Sequence, residues 1–199
     1  MELYHGSDIA IEHPIVQANR GFADLGRGFY LTDDRDVAVS RAKMRARGMG
    51  ASAGVVSVFS FNLDTLDWVT WDGASAVEPA ADAATREDAA VDPVPEAPSV
   101  PEQPFCLRFD QDEAGIIGWL EYVKECRSGR TALEGKGDPA IVRAWIATME
   151  TEMVCSGFAS AADLASLMKP EQLIVQYCFR TQDAIDSHLV FVSSFEIPL

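Results

Sequence analysis

Leu25-Gly26-Arg27-Gly28-Phe29-Tyr30-Leu31-Thr32-Asp33-Asp34 is the stretch from which the fold is read. Two glycines feed an aromatic run over Gly26 to Thr32 that reads as a strand, and Asp33 or Asp34 then supplies the carboxylate that caps a helix. That helix carries Val37, Ala38, Arg41, Ala42 and Met44 and is expected to stop near Gly48. On the N-terminal side, Glu2 to His5 reads as a short strand. On the C-terminal side, Val55 to Phe61 and Leu66 to Trp71 are rich in β-branched and aromatic residues and read as adjacent strands.

Further along, Ile116, Trp119, Leu120, Val123 and Cys126 recur at three- and four-residue steps, the mark of an amphipathic helix that Ser128-Gly129 ends. Ala140 to Ile146 fits either a strand or a buried helix. Ser160 with Asp163 opens a short helix limited by Pro170, Leu173 to Phe179 is a strand, Thr181 caps a helix to about Ser187, and Leu189 to Ile197 closes the chain as a strand. Strands and helices intermix without regular βαβ alternation, so the fold class is α+β.

The 199 residues suit one domain, 48% hydrophobic and 24% charged, with enough apolar surface for a core. Between Gly73 and Pro104 the composition changes: nine Ala, six of the ten Pro and seven acids stand against the single base Arg86. Such a segment buries too little apolar surface to offset its ordering entropy and is expected to be a disordered insert within a single domain of residues 1–199. It contributes -6 of the formal charge of -15. That charge repels phosphate backbones and anionic lipid, which argues against non-specific nucleic-acid binding.

The longest uncharged stretch, Gly48 to Leu63, holds three Gly and four polar residues and is shorter than the roughly 20 apolar residues of a membrane span. The N-terminus lacks the basic flank and apolar segment of a secretory signal, so a cytoplasmic location is expected. Cys106, Cys126, Cys155 and Cys178 form no C-x-x-C pair and have no His at ligand spacing, which argues for reduced thiols and against a metal site.

Phosphate-loop, zinc-protease and nucleophile-elbow signatures are absent, and Gly21, Gly26 and Gly28 lack dinucleotide-fingerprint spacing. Two short polar islands in apolar strands remain: Tyr4-His5-Gly6-Ser7, and the stretch from Leu25 to Thr32. Gly6 leaves backbone beside the imidazole open to close approach. Taken singly, His5 also fits a structural strand-end histidine and Tyr30 a core residue.

Together, His5-Gly6-Ser7 and Gly26-Arg27-Gly28-Phe29-Tyr30-Leu31-Thr32 resemble the paired H-G-[ST] and G-x-G-x-Y-[FL]-[AST] strands of the ADP-ribosyltransferase superfamily. A closer resemblance is to a small bacterial family in that group, domain of unknown function 3990. Its later pieces are matched by Trp119-Leu120-Glu121-Tyr122-Val123 and by Gln176-Tyr177-Cys178-Phe179-Arg180-Thr181. The resemblance implies two small antiparallel sheets with flanking helices around a nicotinamide pocket. The implied activity is mono-ADP-ribosyl transfer from NAD, as substrate, to a macromolecular acceptor. It further implies a bacterial toxin role with a small neutralising antitoxin as partner.

Carried over by position, the resemblance implies that His5 bonds a ribose hydroxyl, Gly6 pairs its backbone with the nicotinamide carboxamide, Ser7 supports the pocket, and Tyr30, beside Phe29, stacks on the nicotinamide ring. Gln176 stands where the superfamily usually has Glu, so His5, Tyr30 and Gln176 form the catalytic set. A carboxylate there would stabilise charge developing on the ribose, whereas an amide is neutral and cannot act as a base. A non-catalytic NAD-binding or protein-interaction module and an NAD glycohydrolase are therefore the alternatives. Arg41 falls where relatives usually place an aromatic residue; it fits either a guanidinium that stacks or reaches pyrophosphate, or a solvated helix residue. Arg20 and Arg27 flank the loop between the motif strands and are candidates for the pyrophosphate or for plain surface positions. Asp138, Glu150, Glu152, His13 and His188 receive no role.

Overall fold

The computed structural model describes residues 1–16, 23–63, 66–71, 105–130 and 137–199, and the acidic insert expected over residues 73–104 lies outside them. The described chain forms β1 (Glu2–Ser7), β2 (Phe29–Thr32), α1 (Arg35–Met49), β3 (Ala53–Phe61), β4 (Trp68–Thr70) and β5 (Cys106–Arg108). It continues with α2 (Glu113–Arg127), β6 (Ile141–Trp145), α3 (Met149–Cys155), α4 (Ala161–Ala165), β7 (Val175–Phe179), α5 (Gln182–His188) and β8 (Leu189–Pro198). No helix among the described residues is long and apolar enough to cross a membrane.

The strands hydrogen-bond into one eight-stranded sheet in the order β4-β5-β6-β7-β2-β1-β3-β8. The expected pair of small antiparallel sheets is thus corrected to a single mixed sheet. Two facts make it so: β4, β5 and β6 run parallel to one another, and the Tyr4↔Thr32 pair joins β1 to β2. That junction is the sheet's narrowest point, a single register pair, whereas β1 and β3 share six. A second correction concerns β3 and β4, expected to be adjacent: β4 lies at the edge opposite β8 and pairs with β5.

Local chemistry accounts for α1. Asp34 accepts from the backbone N–H groups of Asp36 and Val37, and the helix runs past Gly48 to end at Gly50, whose left-handed backbone (φ 69°) supplies the cap. Ala38, Ala42 and Ala46 form its buried stripe, and their small size lets the helix axis close on β1 and β3. On the face of the sheet carrying α2, Trp119, Leu120, Val123 and Cys126 bury against Val142, Ala144, Trp145 and Cys178. On the opposite face Leu3, Phe29, Phe59, Phe61 and Phe179 form a second core with Ile185 of α5. Cys106, Cys126 and Cys178 are buried, Cys155 is half-buried, and all four are free thiols.

Candidate functional site

A cavity of about 440 Å³ opens where β1 and β2 part company. Its wall includes His5, Gly6, Ser7, Tyr30, Arg41 and Gln176, which are drawn from four elements separated by up to 171 residues of sequence. Tyr4, Asp24, Thr32, Met44, Arg45 and Ile146 are further lining residues.

The ladder alternation explains how backbone comes to face this space. Met1 and Phe61 exchange both of their backbone hydrogen bonds, so Leu3, His5 and Ser7 repeat that relation with β3, while Tyr4 and Gly6 turn their N–H and C=O toward β2. Tyr4 pairs with Thr32, but no register pair follows it. Where the next bond would form, the Tyr30 carbonyl is occupied by the His5 imidazole, Nδ1 to O 2.7 Å. A carbonyl can only accept, so Nδ1 carries the proton and, in the neutral ring, Nε2 is an acceptor. The imidazole thus holds the seam open and leaves the peptide of Gly6 turned into it.

Side-chain direction divides the site between two faces. Tyr4, Gly6, Tyr30, Thr32 and Gln176 share one face by strand alternation and register, and Leu3, His5 and Phe29 share the other. His5 therefore meets the cavity through the seam, with its ring against Phe29 at 4.5 Å between centroids. Phe29 is buried and supports His5; it is not a cavity-lining residue.

Tyr30 is pinned at its far end. Its hydroxyl donates to the Gly26 carbonyl at 2.6 Å and accepts from the Leu25 N–H at 3.0 Å. Burial pushes the phenol far above its ordinary value, so it stays neutral and serves as a fixed ring, not a base. Gln176 is buried on β7 and donates from Nε2 to the Trp145 carbonyl at 2.8 Å. That bond orients the amide, leaving Oε1 as its acceptor atom for anything in the cavity.

Gly6 has a second constraint. A Cβ built there would stand 2.0 Å from the Ala38 carbonyl oxygen and 2.7 Å from the Ala42 nitrogen. Its missing side chain thus admits α1 as well as leaving the peptide open. Ser7 donates to Asp8 at 3.2 Å. Arg41 lines the cavity from α1. Arg27 is exposed and away from the cavity, and Arg20 lies outside the described residues.

Sequence reasoning missed Asp24, Met44 and Arg45 as lining residues. For Arg45 a signal existed: Val37, Arg41 and Arg45 stand at four-residue steps and so share one face of α1. Asp24 is paired from outside with Arg127, which reaches it with Nε at 2.9 Å and Nη2 at 2.7 Å and also grips Glu152 with Nη1 at 2.8 Å. The two bases of the wall, Arg41 and Arg45, outnumber its one acid, Asp24. No group of three or more His, Cys, Asp or Glu suited to a metal occurs among the described residues.

These features define a mixed α/β protein with a ligand-sized cavity at a splayed strand seam, lined by an imidazole, an aromatic ring, an amide and arginines. Residues 1–75 match the model of a family described as a protein of unknown function (DUF3990), which supports that family over the stretch supplying β1, β2, α1, β3 and β4. No curated protein and no solved structure matches the chain.

Proposed function

We propose that the chain has the ADP-ribosyltransferase type of fold and transfers ADP-ribose from NAD to a macromolecular acceptor with release of nicotinamide. The observation that carries this reading is the convergence of His5, Gly6, Tyr30 and Gln176 on one cavity. Each group meets a need of that substrate. The carboxamide wants a donor and an acceptor side by side, which the Gly6 peptide offers; the pyridine ring wants the flat face of Tyr30. Ribose hydroxyls can donate to the acceptor nitrogen of His5 and to Oε1 of Gln176.

In the reaction the bond between the ribose carbon and the nicotinamide nitrogen breaks, its electron pair leaving with nicotinamide. A nucleophilic atom of the acceptor bonds that carbon and releases its proton to solvent. Positive charge develops on the ribose as the bond lengthens, and groups that favour this charge more than the ground state accelerate the step. Gln176 contributes a dipole where a carboxylate would contribute a full charge, and the difference lowers the stabilisation on offer.

The commitment of the neutral Gln176 amide to the Trp145 carbonyl favours a second reading, an NAD-binding module without turnover. Incubating the protein with NAD labelled in its ADP-ribose part and a cell lysate separates the cases. Transfer predicts nicotinamide release with labelled macromolecule, hydrolysis predicts free labelled ADP-ribose, and the binding module predicts thermal stabilisation by NAD with neither product. Release that persists unchanged in His5→Ala and Tyr30→Ala would refute the site.

A further inference from the structure

The two arginines on the cavity face of α1 are unequally engaged. Arg41 makes no hydrogen bond or ion pair among the described residues, whereas Arg45, about half-exposed, stands with Nε 3.5 Å from a carboxylate oxygen of Asp8. Asp8 follows β1 directly and receives the Ser7 hydroxyl on the same oxygen, Oδ1, so a lining residue and a lining base both hold it. An anion is thus already seated at the rim of a cavity whose other acid, Asp24, is already paired with Arg127.

We propose that Arg41 and Arg45 form the seat for the diphosphate of a nucleotide ligand, and that Asp8 is an internal counter-anion which the ligand displaces from Arg45. The geometry supports the seat: residues one helical turn apart on a single face place two guanidinium groups within reach of adjacent phosphates, and guanidinium binds phosphate oxygens in pairs. It supports the competition too, because one guanidinium edge cannot serve the Asp8 carboxylate and a phosphate equally. Asp8 then weakens binding of anionic ligands to an otherwise ready cavity, and Ser7 fixes it in the competing position. This inference rests on the reading that the cavity takes NAD.

The test is calorimetric titration of ADP, which carries the diphosphate without nicotinamide, and of nicotinamide riboside, which carries the ring without phosphate, into the full chain and its variants. Asp8→Asn is expected to tighten ADP about two- to fivefold, the range of an exposed ion pair, and to leave nicotinamide riboside unchanged. Arg45→Gln is expected to weaken ADP and, combined with Asp8→Asn, to abolish the gain. The gain should also fade in high salt as the Debye length shrinks. ADP affinity that is unchanged or lower in Asp8→Asn, or a gain that survives Arg45→Gln, overturns the competition. Binding of nicotinamide riboside without ADP overturns the diphosphate seat while leaving the nicotinamide pocket standing, whereas failure of both ligands overturns the seat and the NAD reading together.

Discussion

At Gly6 the demands of packing and of the proposed recognition meet at the absent Cβ. A methyl group there would press on the Ala38 carbonyl at 2.0 Å, backbone that cannot swing aside. Gly6→Ala is therefore expected to destabilise the fold by about 1–3 kcal/mol through overpacking, read as a fall in the urea midpoint at constant slope. An unchanged midpoint would mean that α1 does not sit on β1 as described. His5, Gly6, Tyr30 and Gln176, which line one cavity, were singled out in the sequence only through the resemblance of their motifs to a known family, since taken singly His5 and Tyr30 also fit structural positions. The role of His5 as the wedge at the Tyr30 carbonyl was not legible, since it depends on a register pair that fails to form. Asp24 was hidden for a similar reason, its partner Arg127 lying 103 residues away.

Among the elements, α1 carries one wall of the cavity on a helix whose first turn depends on Asp34. Asp34→Ala removes the acceptor for two backbone N–H groups and is expected to cost about 1 kcal/mol. Thermal unfolding checks the cost, and an equal loss in Thr32→Val would be informative, because the Thr32 hydroxyl accepts the Asp34 N–H while donating to the Val175 carbonyl. If Asp34→Ala leaves the transition where it was, the cap is not holding the helix. The α2 stripe was legible from its three- and four-residue steps, and the β7 and β8 runs from their β-branched and aromatic residues. The three-residue β5 and the seven-residue α3 were not, being too short to show a period, and the Thr148–Thr151 capping box of α3 has Thr where Glu or Gln usually marks such a start.

For the whole molecule, strand propensity located most strands but could not say which of them pair. β3 and β4 are near neighbours in sequence and stand on opposite sides of the sheet, because β4 finds its parallel partner in β5, beyond the acidic insert. The joined core buries several weak acids in their neutral form. Burial pushes Cys126 and Cys178 up to about 12 from an ordinary 9.0, pushes Cys106 up to about 11, and raises the Tyr30 phenol as well. A raised native pKa means that above about pH 9 the unfolded chain releases protons which the native chain retains, so stability present at neutral pH is lost as the pH climbs toward the native values. The urea midpoint under reducing conditions is expected to fall between near-neutral pH and about pH 10.5. A midpoint that holds steady across that window would show the thiols to be less buried than the structure places them.

The proposed NAD site is the cavity at the β1–β2 seam, where His5 would hold a ribose hydroxyl. Calorimetric titration of NAD into the intact chain and into His5→Ala tests it most directly. Saturable one-to-one binding in the parent, weakened about tenfold or more when the imidazole and its hold on the Tyr30 carbonyl are removed, is the predicted result. Equal affinity in the two proteins, or no binding in the parent, would contradict it.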